Sequence, residues 1–121
     1  MQFTGICLLT DDVPRLKDFY GKVFGCAITG DDVHADLDCF GVQLSIFSSR
    51  GMEELAPGSM GSAGTGSFTM GFLVDDIEVE YERIKGLGIE LLKDLQTHPW
   101  GSRSFWFRDS DGNIISFHSP A

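Results

Sequence analysis

Positive charge is scarce in this chain: nine Lys and Arg stand against 18 Asp and Glu, for a formal net charge of -9. Binding by phosphate neutralisation would begin with the wrong sign, so neither nucleic acid nor an anionic membrane is an expected partner. A cationic or neutral ligand suits that field, although solubility alone also accounts for an acidic surface. Long apolar runs are absent too, and none approaches the roughly 20 residues of a membrane-spanning helix. The start, Met1-Gln2-Phe3-Thr4, carries no basic segment leading into an apolar stretch, so no secretory leader is expected. Cysteine is limited to Cys7, Cys26 and Cys39, odd in number and without CxxC spacing. That usage predicts a reduced, cytoplasmic protein with small buried thiols. No GxSxG, Cys-His signature, P-loop or GxGxxG is present, so nucleophilic hydrolysis and nucleotide binding have no motif behind them. Gly61-x-x-Gly64-x-Gly66 precedes a strand pattern instead of opening a helix, which is the wrong place for a phosphate cradle.

What remains is an ordinary globular composition, 42% hydrophobic and 22% charged, over 121 residues. That length supports about one domain with one core. Thr4 to Thr10 is a short apolar run closed by Asp11-Asp12, which reads as a strand entering a capped helix with Pro14 in its first turn. Val13, Leu16, Tyr20 and Val23 share one helix face, and Gly25 stops it. Val33 to Leu37 and Val42 to Phe47 read as a hairpin across Phe40-Gly41. Ser48 to Ser67 is rich in Gly and Ser, with a brief helical stretch at Met52 to Ala56, and reads as a linker or lid.

After the linker the order begins again. Phe68 to Val74 is a strand, Asp75-Asp76 repeats the cap pair, and Ile77, Tyr81, Ile84 and Leu87 form the next helix stripe before Gly88. Ser102 to Arg108 and Ile114 to His118 are strands joined by Asp109-Ser110-Asp111-Gly112-Asn113, whose Gly and Asn tolerate positive φ. Leu9-Thr10-Asp11-Asp12-Val13 aligns with Leu73-Val74-Asp75-Asp76-Ile77, and Gly41 to Phe47 with Gly112 to His118. Two echoes in the same order predict a duplicated unit: module one at 1–47, a linker at 48–67 and module two at 68–121.

These pieces, with Phe19-Tyr20, Val23-Phe24-Gly25, Pro99-Trp100-Gly101 and the run Phe107 to Ile115, give the chain its resemblance to the vicinal oxygen chelate superfamily. That superfamily holds glyoxalases, extradiol dioxygenases, fosfomycin-resistance enzymes and bleomycin-resistance proteins. The resemblance implies an α+β fold of two paired βαβββ modules forming a half-open curved sheet, a cup with helices on its convex side and ligand on its concave side. Strand alternation then sends Ile6, Leu8, Phe72, Val74, Ile115 and Phe117 toward the helices. Gly5, Cys7, Leu9, Thr69, Gly71, Ser104, Trp106, Ile114, Ser116 and His118 face the other way.

Metal-dependent relatives place His, Gln or Glu on these strands around one divalent ion. Counted from the Asp pairs and the Asp-Gly-Asn turn, the resemblance puts those places at Gly5, Thr69 and Ser116, with the fourth near Ser45. Glycine has no donor and neutral hydroxyls bind divalent ions poorly, so neither metal nor other cofactor is expected. A relocated site using His118 with Glu53 is the rival arrangement. Trp100 and Trp106 are candidates for stacking on a planar or cationic ligand. Arg103 and Arg108 are candidates for clamping an acidic group, with pairing to Asp109 or Asp111 the expected role of Arg108.

The expectation is therefore a metal-independent small-molecule binding protein of the bleomycin-resistance kind, which sequesters a cationic or aromatic compound. Its ligand-binding residues are Cys7, Leu9, Thr69, Trp100, Ser104, Trp106, Ser116 and His118, and by analogy it is a homodimer. The alternative is a glyoxalase-like lyase, isomerase or dioxygenase with a relocated metal, or a metal-free enzyme using His118 or Asp36 as acid or base.

Overall fold

Asp12 and Asp76 start the two principal helices. The Asp12 carboxylate accepts from the Arg15 N–H at 3.1 Å, and the Asp76 carboxylate from the Val79 N–H at 3.2 Å, so each satisfies a donor that the first helical turn leaves open. The first helix, α1 (Val13–Phe24), buries Val13, Leu16, Tyr20 and Val23 along one stripe, each worth about 1.5–3 kcal/mol when taken out of water. Gly25 ends it at φ 63°, with its N–H on the Gly21 carbonyl, a left-handed turn that glycine adopts without a Cβ clash.

A computed structural model describes all 121 residues and divides into two units, Met1–Gly64 and Thr65–Ala121. In the first, α1 lies between β1 (Gly5–Thr10) and the strands β2 (Ile28–Gly30), β3 (His34–Leu37) and β4 (Gln43–Ser48), with a short α2 (Ser49–Leu55) following. The second holds β5 (Thr69–Leu73), α3 (Ile77–Gly86), β6 (Leu91–Thr97), β7 (Ser102–Arg108) and β8 (Ile114–Pro120). Both units form a four-stranded mixed sheet of the same order, β1-β4-β3-β2 and β5-β8-β7-β6. The fold is α+β, built from a repeated βαβββ unit.

In each unit the first strand pairs in parallel with the last, β1 with β4 and β5 with β8, while the other pairs are antiparallel. Register sets Gly5 against Gln43 and Thr69 against Ile114, so Ser45 and Ser116 hold equivalent places in the two sheets. Leu8, Ala35, Leu37, Leu44 and Ile46 make the first core, and Met70, Phe105, Phe107, Ile115 and Phe117 the second. In the second, Phe117 meets Phe105 and Phe107 edge-on at 5.5 and 5.1 Å, a geometry that adds to the area term. Ile6, expected on the helix side, is 38% exposed.

Several expectations change. The strands β2 and β6 add a fourth member to each sheet where the apolar pattern had marked only three. One has three residues and the other two register shifts, so neither shows clean alternation. The helix α2 starts directly from β4 at Ser49 instead of Met52, because the Ser48 hydroxyl accepts from the Gly51 N–H. The thiols are not three buried singles: Cys26 and Cys39 form a disulfide with Cα atoms 5.7 Å apart, and Cys7 is free and exposed. The fold brings the ends of α1 and β3 together, which a 13-residue separation conceals. Asn113 does not take positive φ either. Gly112 alone does so in that turn, at 96°, while Asn113 is buried and its side chain donates to Asp109 at 2.9 Å. No helix is long and apolar enough to cross a membrane.

Two stability outcomes follow. Reducing the Cys26–Cys39 bond, or Cys39→Ser, is expected to cost about 3 kcal/mol from released loop entropy, read as a lower Tm with dithiothreitol. Asp109 accepts from the N–H groups of Asp111 and Asn113 and from the Asn113 amide, so Asp109→Ala should cost about 1–3 kcal/mol in urea unfolding.

Candidate functional site

On the face of the second sheet turned away from its apolar core, cross-strand register builds three rows. Thr69, Ile114 and Arg108 make the first, Gly71, Ser116, Trp106 and Lys93 the second, and Leu73, His118, Ser104 and Gln96 the third. Lys93 owes its place to β6. Leu91 pairs with Phe107, so an even strand would set Lys93 against Phe105 on the core side. One extra residue between Leu91 and Lys93 pairs Lys93 with Trp106 instead, and a second before Gln96 pairs that residue with Ser104. A bulge re-aims the residues that follow it, and here it delivers a cation to an aromatic row.

Ser104 is the centre of the polar contacts. Its side chain is buried, and its Oγ lies 3.1 Å from Lys93 Nζ and 2.8 Å from His98 Nε2. Lys93 also donates to the Ser104 carbonyl at 3.1 Å and weakly to the Asp94 carbonyl at 3.5 Å, and its nitrogen stands 5.3 Å from the centre of the Trp106 ring. Burial pushes the Lys93 ammonium below the usual lysine range, with Asp94 opposing. An ammonium can only donate, so Ser104 Oγ accepts from it, while the direction of the Oγ–Nε2 bond follows the His98 tautomer.

The turn from β6 to β7 positions His98. Its N–H bonds the Ser102 carbonyl at 2.7 Å, the Gly101 N–H returns to the His98 carbonyl, and Gly101 takes φ 92°. Pro99 and Trp100 occupy the corner, where a proline presets the bend. Trp100, 75% exposed, lies flat on the His98 ring at 4.3 Å and 5°. His118 comes from the opposite side as the cross-strand neighbour of Ser104, with its ring over Gly71: Nε2 lies 3.6 Å from where a Cβ there would stand.

Of the residues expected to contact ligand, Ser104, Trp106, Ser116 and His118 come together on β7 and β8, and Trp100 joins through His98. Thr69 is exposed at the start of β5. Cys7 and Leu9 lie in the first unit, opposite Ser45 and Phe47. Neither Lys93 nor His98 was singled out by the sequence reasoning. The histidines 20 positions apart flank one hydroxyl only because the hairpin and the β7–β8 pairing bring them there. The arginines are engaged elsewhere: Arg103 pairs with Glu78 at 3.0 Å, and Arg108 donates to the Gly112 carbonyl at 2.8 Å.

The places that metal-dependent relatives use do not fit an ion here. A Cβ built on Gly5 would stand 1.8 Å from the Gln43 carbonyl oxygen, so no side chain enters there without moving the parallel pair. Ser45 is a buried hydroxyl beside Cys7, and Ser116 lies between Gly71 and Trp106. Glu53, considered for a relocated site, accepts a hydrogen bond from the Gly58 N–H after α2. Within either unit no three His, Cys, Asp or Glu side chains gather.

The family model for the Glyoxalase/Bleomycin resistance protein/Dioxygenase superfamily matches residues 2–117. Among solved structures, a glyoxalase/bleomycin resistance protein/dioxygenase from Nocardioides is 23% identical with a TM-score of 0.82, over 99% of this chain and 83% of that one. A lactoylglutathione lyase from Agrobacterium tumefaciens is 23% identical with a TM-score of 0.80, over 98% and 92%. A glyoxalase-related enzyme from Fulvimarina pelagi is 24% identical at 0.79, over 98% and 87%. At these identities the likeness is one of fold. With the family model matched along nearly its whole length and a repeated βαβββ unit in its structure, the chain belongs to the Glyoxalase/Bleomycin resistance protein/Dioxygenase superfamily.

Proposed function

We propose that this chain is a metal-independent binding protein for a small planar compound, which it holds without transforming. The observation that carries the reading is the row Gly71, Ser116, Trp106: an indole beside one hydroxymethyl group and an exposed position with no side chain. Small neighbours across β8 and β5 leave room beside the indole for a second ring, and stacking there adds about 0.5–1.5 kcal/mol to the area term. Of the two ligand chemistries, aromatic and cationic, the local charge supports the aromatic one. Lys93 already stands over Trp106, and a second cation would meet like charge. The chain's overall acidity acts at longer range and is screened by salt.

The catalytic reading requires either the family's ligand positions or a replacement set. Gly5 is sterically closed and the remaining positions offer hydroxyls, so the donor chemistry favours binding. Protein purified without chelator should carry no stoichiometric divalent ion by elemental analysis, and Ni, Zn, Mn or Fe should leave its Tm unchanged. One bound ion per chain would transfer the assignment to an enzyme.

Both tryptophans belong to the second unit, so emission reports directly on the proposed face. In Trp100→Phe the only indole left is Trp106, and an aromatic ligand should quench or shift it saturably. Trp106→Ala should weaken binding at least about fivefold while far-UV circular dichroism stays unchanged. Equal affinity in the variant removes Trp106 from the site.

A further inference from the structure

We infer that Lys93, Ser104 and His98 anchor an anionic group, a carboxylate, phosphonate or phosphate, carried by the aromatic compound that stacks on Trp106. The inference rests on the binding reading above and names the polar half of the ligand. Its first support is a half-buried cation that takes part in no ion pair. The five ion pairs of the chain use Lys17, Lys22, Arg50, Arg83 and Arg103, and Lys93 has none, although its exposure is only intermediate. The adjacent Asp94 opposes the burial effect but makes no ion pair with Lys93; its carboxylate accepts instead from the Tyr81 hydroxyl and from the Leu95 N–H, which hold it below the usual carboxylate range. A partly desolvated ammonium without a carboxylate is unfavourable by itself and becomes favourable when an anion arrives.

The second support is donor geometry. Two Lys93 protons are used on Ser104 O and Oγ at 3.1 Å, while the third has only the 3.5 Å contact to the Asp94 carbonyl, which an incoming oxyanion would improve upon. His98 reaches the same Oγ at 2.8 Å, and its ring is steadied by Trp100. Lysine and hydroxyl donors around one point are a usual means of holding an oxyanion. The third support is adjacency, since Lys93 Nζ lies 5.3 Å from the Trp106 centroid. A ring stacked on that indole therefore brings a substituent at its edge to the ammonium.

The test titrates the wild-type chain and Lys93→Met with 1-naphthoate, neutral 1-naphthamide and 1-naphthylmethylammonium at matched ionic strength, following tryptophan emission. Naphthoate should bind about tenfold or more tighter than naphthamide, with the ammonium compound weakest, and Lys93→Met should bring the naphthoate-to-naphthamide affinity ratio close to one. If naphthamide and naphthoate bind the wild-type chain equally, or the advantage survives in Lys93→Met, the anchor is wrong and stacking stands. A second measurement needs neither variant nor stacking: inorganic phosphate against a sodium chloride control, with the His98 ring and Trp106 indole N–H resonances followed by NMR. Saturable shifts support the anchor even if no naphthalene probe binds, in which case the stacking reading fails alone. Absence of phosphate-dependent shifts overturns the anchor.

Discussion

Parallel pairing of the first strand with the last constrains everything else in each unit. A tight turn cannot join parallel strands, so the chain must leave the sheet and cross over it before returning. That requirement accounts for the helix after β1 and after β5, for the Asp cap that starts each one, and for the two further strands that come before the closing one. It also fixes the register in which β8 lies beside β5, and with it the row Gly71, Ser116, Trp106 on which the ligand reading depends.

Family positions and local sterics point the same way at Gly5. Strand β1 lies so close to β4 that a Cβ at this residue would overlap the Gln43 carbonyl oxygen. A histidine or glutamate there would need a different spacing between the two strands. The backbone of the first unit thus disfavours any side chain at this place, and substituting one would disturb the pair from which the sheet is assembled.

In the second unit the edge strand determines the chemistry. One bulge in β6 carries Lys93 across the sheet plane, away from Phe105 and onto Trp106, where burial pushes its ammonium below the usual lysine range. The hairpin that follows sets His98 against Ser104 from one side, while β8 brings His118 from the other. Polar side chains from three strands and a turn thereby meet on one face, in a chain whose overall charge gives no hint of a cationic site.

Local chemistry was readable along the chain itself: the helix caps at Asp12 and Asp76, the stripe Val13, Leu16, Tyr20, Val23, the stop at Gly25, and the echo between the two halves. The caps, stripe and stop depend on residues a few positions apart, so spacing alone reports them, and the echo needs only a comparison of the chain with itself. Tertiary structure decided the rest. Lys93 sits at an irregular point of an edge strand, where a bulge reverses the face that alternation assigns to it. His98 is six residues from Ser104, but reaches it only through the turn at Pro99-Trp100. Cys26 and Cys39 meet because α1 and β3 end in the same place, a convergence that composition cannot encode. Side-chain identity and short-range periodicity belong to the sequence, whereas the meeting of distant groups depends on strand register, and one inserted residue in a β-strand is enough to change it.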